Sequence, residues 1–258
     1  MKEILEKVLE LSAKHSTLWF RGHSSTNYKL NSGLYRIDSD KKTILEYENN
    51  IYNAFTNLGS NYVDNFYSEK EWNTLFMMQH YGMHTRLLDW TSSFSTALYF
   101  ANLNRKANKT AAIWAIDPIK LNNHCYNLYE RQVDPAYAGI GHITLDSLPN
   151  RIANYTSYFN ENIHIKSFAL MPRRSNERLL LQSGFFTVQG TEALPLEEEY
   201  KDFINDFIYK IELPPETYSS CIDYLKINGV NYYSLFGGID GLCHYISKEL
   251  LNIKLNNI

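Results

Sequence analysis

A tryptophan–phenylalanine–arginine–glycine sequence at residues 19–22 contains the first side chain with clear chemical potential. Arg21 follows an apolar run that is typical of a buried strand, where a guanidinium is unfavourable unless it meets an anion or several carbonyl groups. Its planar fork of N–H donors suits a pyrophosphate, and Gly22 permits close approach of a ligand or an unusual backbone angle. A structural ion pair with an acid such as Asp89 explains Arg21 equally well. The local sequence therefore leaves a ligand-binding role and a structural role open.

Residues 79–91 hold the densest concentration of polar side chains that can take part in chemistry. Glutamine, two histidines, arginine, aspartate and threonine are interleaved there with Leu87, Leu88 and Trp90. Polar groups in such an apolar setting are partly buried and have to be hydrogen-bonded. The segment therefore predicts either an internal network that fixes a loop or the floor of a pocket.

Several common catalytic motifs are missing from the sequence. It contains no glycine-rich phosphate loop, no GxGxxG fingerprint and no GxSxG nucleophile elbow. His80 and His84 have the i, i+4 spacing of a zinc pair, but the glutamate that a zinc-protease helix places beside the first histidine is absent. Gly82 also weakens the helix that would align the pair. We therefore expect no metal cofactor.

The composition indicates a folded globular protein. The chain has 258 residues, of which 44% are hydrophobic and 21% charged, with an aromatic share of 14%. A net charge of −3 gives no overall electrostatic reason to condense on nucleic acid. Three cysteines without CxxC spacing favour a reducing compartment. The N-terminus does not resemble a signal peptide, and no uncharged apolar run approaches the roughly 18 residues of a membrane span. We therefore expect a cytoplasmic protein without a membrane partner.

The elements that position these residues mix helices and strands without regular βαβ spacing, which predicts an α+β fold with a mixed or mainly antiparallel sheet flanked by helices. A single domain is expected over residues 1–258, with a core at about 18–245. Helices are predicted at residues 1–15, 43–58, 71–80, 176–183, 216–227 and 239–252, and from an N-cap cluster at 91–93 through 101. Strands are predicted at residues 18–20, 111–116, 163–170, 185–188 and 207–213. Residues 121–162 yield no assignable element.

The Phe-Arg-Gly triplet at residues 20–22 resembles the FRG domain family, which is named for it. Two further segments carry the resemblance: Gln-His-Tyr-Gly at 79–82 continuing to Thr-Arg-Leu-Leu-Asp-Trp-Thr at 85–91, and Ala-Leu-Tyr-Phe-Ala at 97–101. Arg178, residues 182–187 and residues 235–242 match as well. Membership of this family does not by itself imply a reaction.

A remoter similarity does imply one. An arginine at the end of an early strand, followed by a Ser/Thr-rich turn into a helix with an Ala-x-x-Phe-Ala pattern, is similar to ADP-ribosyltransferases of the Arg-Ser-Glu type, and this suggests an ADP-ribosyltransferase-like fold. By this resemblance, Arg21 holds the phosphates of NAD, and Thr91 or Ser93 braces the nicotinamide-ribose pocket. Tyr99 or Trp90 lies against the nicotinamide ring. Further cofactor contacts are expected from Gly22, His80, Tyr81, Arg86 and Asp89.

The third catalytic position of that type is a glutamate on a late strand, and the matching position here is Gln182. A glutamine hydrogen-bonds ribose hydroxyls but supplies neither a base nor a negative charge. A capping or core role for Gln182 is an equal alternative. Glu177, Glu192 and Asp240 are nearby acids among which the sequence does not choose.

Three functions follow as hypotheses. The first is an NAD-consuming ADP-ribosyltransferase or NAD glycohydrolase, acting as a toxin or anti-phage effector on nucleic acid or protein, with NAD as substrate. The second is a non-catalytic module that recognises a ligand, a nucleotide or nucleic acid. The third is a metal-dependent nuclease that uses His80, His84 and Asp89. The acceptor and the oligomeric state are left open.

Overall fold

The computed structural model describes residues 1–37, 40–59, 70–125, 143–145, 148, 152–160, 165–172 and 177–251. The strands are β1 (Trp19–His23), β2 (Leu87–Thr91), β3 (Ala111–Ile116), β4 (Phe168–Leu170), β5 (Gly184–Val188) and β6 (Ile208–Leu213). The helices are α1 (Lys2–Lys14), α2 (Lys41–Leu58), α3 (Lys70–His80), α4 (Phe94–Asn102), α5 (Pro118–Asn123), α6 (Tyr155–Asn160), α7 (Glu177–Leu181), α8 (Leu196–Glu199), α9 (Tyr218–Ile227), α10 (Tyr232–Phe236) and α11 (Gly238–His244). A 3-10 helix spans Leu34–Arg36, and a π-helix spans Tyr245–Leu250.

The six strands form one antiparallel sheet in the order β4-β5-β2-β1-β3-β6. The predicted α+β class with a mainly antiparallel sheet is therefore confirmed. Successive residues of β1 point to opposite faces of the sheet, as the pleat requires. Phe20 packs with α1, α4 and α9 on one face, whereas Trp19 packs with Trp90 and Trp114 on the other. Both faces of the strand are thus covered.

The centre of the sheet is its most weakly joined part. Strands β1 and β2 pair at one register position, Phe20 opposite Thr91. In contrast, β1 pairs with β3 at five positions, and β2 pairs with β5 at five positions. The sheet therefore consists of two three-stranded halves that meet at a short seam. Arg21 is the residue that follows this seam along β1.

Helix α4 crosses β1 in very close contact at Gly22. A Cβ atom at this position would lie 2.0 Å from the Ala97 carbonyl oxygen and 2.5 Å from the Ala101 backbone nitrogen. Both atoms belong to the helix backbone and cannot move aside cheaply. The close approach that Gly22 permits is therefore the approach of α4, and a ligand contact at Gly22 stays a prediction.

Several predicted elements differ from the structure. The sequence predicted no strand at residues 87–91, although β2 lies at the centre of the sheet, because Asp89 interrupts the apolar run. It also predicted neither α10 nor α5, whose first N–H groups are capped by the Asp117 carboxylate. Of the predicted strand at 163–170, β4 begins at Phe168, and residues 163 and 164 lie outside the described residues. Most of the segment 121–162 also lies outside them.

No helix in the described ranges has both the length and the apolar character needed to cross a membrane.

Candidate functional site

A cavity of about 710 Å³ opens at the seam between β1 and β2. This volume falls within the range that is usual for small-molecule sites, roughly 300–1,000 Å³. Its lining includes Arg21 from β1, Asp89 and Thr91 from β2, and Gln182 from the turn before β5. Four residues that the sequence singled out for chemistry therefore share one cavity, although they are spread over residues 21–182 of the chain.

Arg21 bridges the seam with its guanidinium. Nη1 donates a 2.7 Å hydrogen bond to the backbone carbonyl of Asp89, and Nε donates to His23 Nε2 at 3.1 Å. The Asp89 carboxylate lies 3.8 Å from Nη1, and the Arg21 side chain is 19% exposed. Burial lowers the pKa of the guanidinium, whereas Asp89 acts to raise it. Nη2 donates no hydrogen bond to a described residue and is not enclosed, so it remains available to a ligand.

His23 shares the face of β1 with Arg21 and is held in one tautomer. Because Nε2 accepts the hydrogen bond from Arg21, the ring proton has to be on Nδ1. Burial, and then the charge of Arg21, lower the pKa of His23 to about 3, so the ring is neutral at physiological pH. The Tyr28 carbonyl acts to raise this pKa, but no described group meets the geometry of a hydrogen bond to Nδ1. His23 therefore supports Arg21 without adding a charge.

Asp89 is the one carboxylate among the described residues that line the cavity. Its side chain is 59% exposed, although it lies on a central strand. Gln79 Nε2 donates to Asp89 Oδ2 at 2.9 Å, and Gln79 Oε1 accepts a 2.7 Å hydrogen bond from Thr85 Oγ1. Thr85 Oγ1 in turn accepts from the backbone nitrogen of Leu87 at 3.1 Å. This chain of hydrogen bonds orients the carboxylate.

Thr91 and Gln182 connect the two turns that form one wall of the cavity. Thr91 Oγ1 donates to the Gln182 carbonyl at 2.7 Å and accepts from the backbone nitrogen of Ser93 at 3.0 Å. Gln182 Nε2 donates to the Leu235 carbonyl at 3.2 Å, while its Oε1 accepts no hydrogen bond from a described residue. Ser93 is the N-cap of α4, accepting from the Thr96 nitrogen at 3.2 Å, and does not line the cavity.

Arg86 was expected to contact a cofactor, but the structure gives it an internal role. Its side chain is 2% exposed and makes two contacts with the Glu48 carboxylate, from Nε at 2.5 Å and from Nη2. Nη1 donates to the Tyr158 hydroxyl at 2.7 Å and to the Gln189 carbonyl at 3.3 Å. Burial acts to lower the pKa of Arg86, but Glu48 raises it well above its ordinary value. Arg86 thus anchors α2 to the sheet and is not available to a ligand.

The expected aromatic contacts also require correction. The Tyr99 hydroxyl donates to Glu249 Oε1 at 2.7 Å, and this ring does not line the cavity. Trp90 does line it, but its indole is buried and donates to Thr187 Oγ1 at 3.0 Å. His80 and Tyr81 lie at the end of α3, outside the cavity lining. Tyr99 therefore serves the interior of the protein, whereas Trp90 borders the cavity from a buried position.

Among the cavity-lining residues that sequence reasoning missed are Tyr28, Lys29, Arg36 and Phe100. The Tyr28 ring is 58% exposed and is free to stack on a flat ligand. Phe100 is the next residue after Tyr99, and one step along a helix turns a side chain by about 100°. The sequence pattern therefore identified the helix that borders the cavity but chose Tyr99, whereas Phe100 lies on the face that lines it. The polar stretch after residue 22 was the available signal for the other three.

No group of three or more His, Cys, Asp or Glu side chains within the described ranges is placed to hold a metal ion. The nuclease hypothesis therefore has no metal-ligand cluster among these residues on which to rest.

Fold and site together define an α+β protein whose antiparallel sheet opens at its centre onto an arginine-lined cavity. The family model described as FRG domain matches residues 16–110 of the chain, and these residues include Arg21, Asp89 and Thr91. This match confirms the predicted resemblance over residues 16–110, whereas the segments at 178, 182–187 and 235–242 lie outside it. No curated protein and no solved structure matches the chain, so the similarity to ADP-ribosyltransferases stays a prediction.

Proposed function

We propose that the cavity binds NAD and breaks the glycosidic bond between nicotinamide and ribose. Nicotinamide leaves with the bonding electron pair, and an oxygen nucleophile from water or an acceptor bonds to the ribosyl carbon and loses its proton. The observation that carries the proposal is the convergence of Arg21, Asp89 and Gln182 on one cavity, from three separate parts of the chain.

Arg21 is assigned to the phosphates of the dinucleotide. Its Nη2 atom donates no hydrogen bond to a described residue, while Nη1 and Nε are held by the protein. A guanidinium that is fixed on one side presents its remaining donors in a defined direction, which suits a phosphate oxygen. Binding of NAD therefore requires little rearrangement of this side chain.

Asp89 is assigned to the ribosyl centre. The bond breaks through a transition state with positive charge on the ribose, and a nearby carboxylate stabilises such a charge. Gln79 orients this carboxylate. Gln182 Oε1 accepts from a ribose hydroxyl, and the exposed ring of Tyr28 is suited to stack on a base. Asp89 thus takes the place of the late-strand glutamate, since Glu192 and Asp240 do not line the cavity.

The test is the release of nicotinamide from NAD by the purified protein. We expect Asp89→Asn to lower kcat by about 10²-fold or more, as loss of a group that acts in the transition state does. Glu46→Gln is the matched control, because Glu46 is an exposed acid on α2 and its loss changes the net charge equally. Nicotinamide release by Asp89→Asn at the wild-type rate would contradict the proposal.

A labelled-NAD assay extends this test to the acceptor. With label on the adenylate moiety, transfer to a protein or a nucleic acid leaves the label on that macromolecule, whereas hydrolysis leaves free ADP-ribose. Action as a toxin or anti-phage effector corresponds to the first outcome.

A second candidate function is recognition of a nucleotide without turnover. It is favoured by the hydrogen bonds of Thr91 Oγ1 and Gln182 Nε2, both of which are engaged within the protein. Calorimetric titration with NAD separates the two functions. Binding that depends on Arg21 without nicotinamide release supports recognition, and binding with release supports the enzyme.

A further inference from the structure

Two guanidinium groups, Arg21 and Arg36, line the same cavity from different elements. Arg36 ends the short 3-10 helix that follows β1, and its side chain is exposed. Nη1 donates to the Asn31 carbonyl at 2.6 Å. Among the described residues, no carboxylate forms an ion pair with Arg36. Its charge is therefore not neutralised by this part of the protein.

The backbone that carries Arg36 is firmly positioned. The Leu34 nitrogen donates to the Thr85 carbonyl at 3.1 Å, and Leu34 and Tyr35 pack with Ile44 of α2. Thr85 also belongs to the hydrogen-bond chain that orients Asp89. The backbone next to Arg36 and the hydrogen-bond chain that orients the Asp89 carboxylate are thus both held by Thr85.

The charges around the cavity are unbalanced. Arg36 acts to lower the pKa of both Arg21 and His23, so its field reaches the β1 side of the cavity. Lys29, a third cation in the lining, is neutralised by Glu198 at 2.5 Å. Asp89 lies 3.8 Å from Arg21 and is also bound by Gln79. Counted over the described residues, two guanidiniums share one carboxylate at the cavity, and this excess of positive charge favours a ligand with more than one negative charge.

We propose that Arg21 and Arg36 together bind the diphosphate of the ligand, so that the cavity selects nucleoside diphosphates and their derivatives over nucleosides and nucleoside monophosphates. This inference concerns the site of the proposed function and adds Arg36 as a residue that determines specificity. It depends on ligand binding and does not require that the protein turn NAD over.

The test is calorimetric titration with ADP, AMP, adenosine and inorganic pyrophosphate. Wild-type protein should bind ADP at least about tenfold more tightly than AMP, because loss of the terminal phosphate removes charge-assisted hydrogen bonds. Arg36→Gln should weaken binding of ADP and pyrophosphate about tenfold and leave adenosine unchanged. Arg36→Lys keeps the charge but loses the planar fork. Its affinity for ADP should therefore lie between those of the wild type and Arg36→Gln.

Lys42→Gln is the matched control, because Lys42 is an exposed cation on α2 whose removal changes the net charge equally. It should bind ADP as the wild type does. Equal affinity for ADP and AMP, unchanged ADP binding by Arg36→Gln, or no ADP binding by the wild type at millimolar concentration each overturns the inference.

The two proposals fail in different ways. If nicotinamide is not released but ADP binding depends on Arg36, the proposed reaction is wrong and the diphosphate site stands. If NAD is cleaved and the KM is unchanged in Arg36→Gln, the reaction stands and the inference about Arg36 is wrong.

Discussion

The surroundings of Arg21 and Arg86 show two ways in which this fold accommodates an arginine near its centre. Arg86 is 2% exposed, and the Glu48 carboxylate, the Tyr158 hydroxyl and the Gln189 carbonyl together occupy all three of its nitrogens. Arg21 is 19% exposed, has its nearest carboxylate at 3.8 Å, and keeps Nη2 unbonded among the described residues.

This difference separates an arginine whose nitrogens are all paired within the protein from one that keeps a nitrogen unbonded among the described residues. A buried guanidinium that is fully paired contributes to folding, and its removal strands the partner charge. A guanidinium that is held on one side and open on the other has donors left for a ligand. The sequence placed both residues among the candidates for binding a cofactor, and only the hydrogen-bond partners distinguish them.

The largest effect on the free energy of unfolding is expected on substitution of Glu48. Glu48→Ala leaves the Arg86 guanidinium buried without a counter-charge, which should lower the free energy of unfolding by about 3–5 kcal/mol. Urea denaturation at pH 7 measures this change. Glu46→Ala, at an exposed position of the same helix, should change it by less than about 0.5 kcal/mol. The double variant Glu48→Leu, Arg86→Met should recover most of the lost free energy of unfolding. An unchanged free energy of unfolding in Glu48→Ala would contradict the structural role assigned to Arg86.

A smaller loss of stability is expected on substitution of Gly22, which follows Arg21 in the chain. Gly22→Ala forces a methyl group against the backbone of α4, so we expect unfolding to become easier by about 1–3 kcal/mol. Gly241→Ala is a suitable control, because its added methyl meets atoms at 3.6 Å or more. Equal stability of the two variants in thermal unfolding would show that β1 and α4 are not in tight contact.

The dependence of stability on pH tests the environment of His23. Its pKa of about 3 in the folded protein lies below the ordinary value of 6.5, so the unfolded chain takes up the proton first as the pH falls. Stability from this group is therefore complete above about pH 7 and decreases towards pH 3. Between pH 7.5 and 5.5 the wild type should lose about 1.4 kcal/mol more than His23→Gln. Parallel curves for the two proteins would show that the pKa of His23 is the same in the folded and the unfolded protein.

The smallest effect on stability is expected at Arg21 itself. Arg21→Met removes a charge that Asp89 only partly balances, so the free energy of unfolding should change by less than about 1 kcal/mol. Arg86→Met should cost several times more, because it leaves Glu48 buried and unpaired. Chemical denaturation of both variants under identical conditions is the measurement. A comparable loss in both would mean that Arg21, too, is structural.

Local patterns were sufficient for much of the secondary structure. The apolar periodicity of α1, the N-cap at Ser93 and the β-like run of β3 are properties of neighbouring residues, and all three elements lie where they were predicted. The Phe-Arg-Gly triplet and residues 79–91 likewise carried the resemblance to the FRG domain family, and both lie within the matched residues. Strand β2 was missed because Asp89 interrupts its apolar run. This side chain is exposed on a central strand because it lines the cavity.

The sequence by itself determined the fold class, the resemblance to the FRG domain family and the set of polar residues from which a candidate site is built, because these depend on residue type and spacing along the chain. Only the tertiary structure decided which of them share a cavity. Whether Arg21 or Arg86 is open, and whether Tyr99 or Phe100 faces the seam, depends on partners more than 30 residues away such as Glu48 and Glu249. Short-range patterns contain no information about such partners, since burial and pairing arise when distant segments pack together.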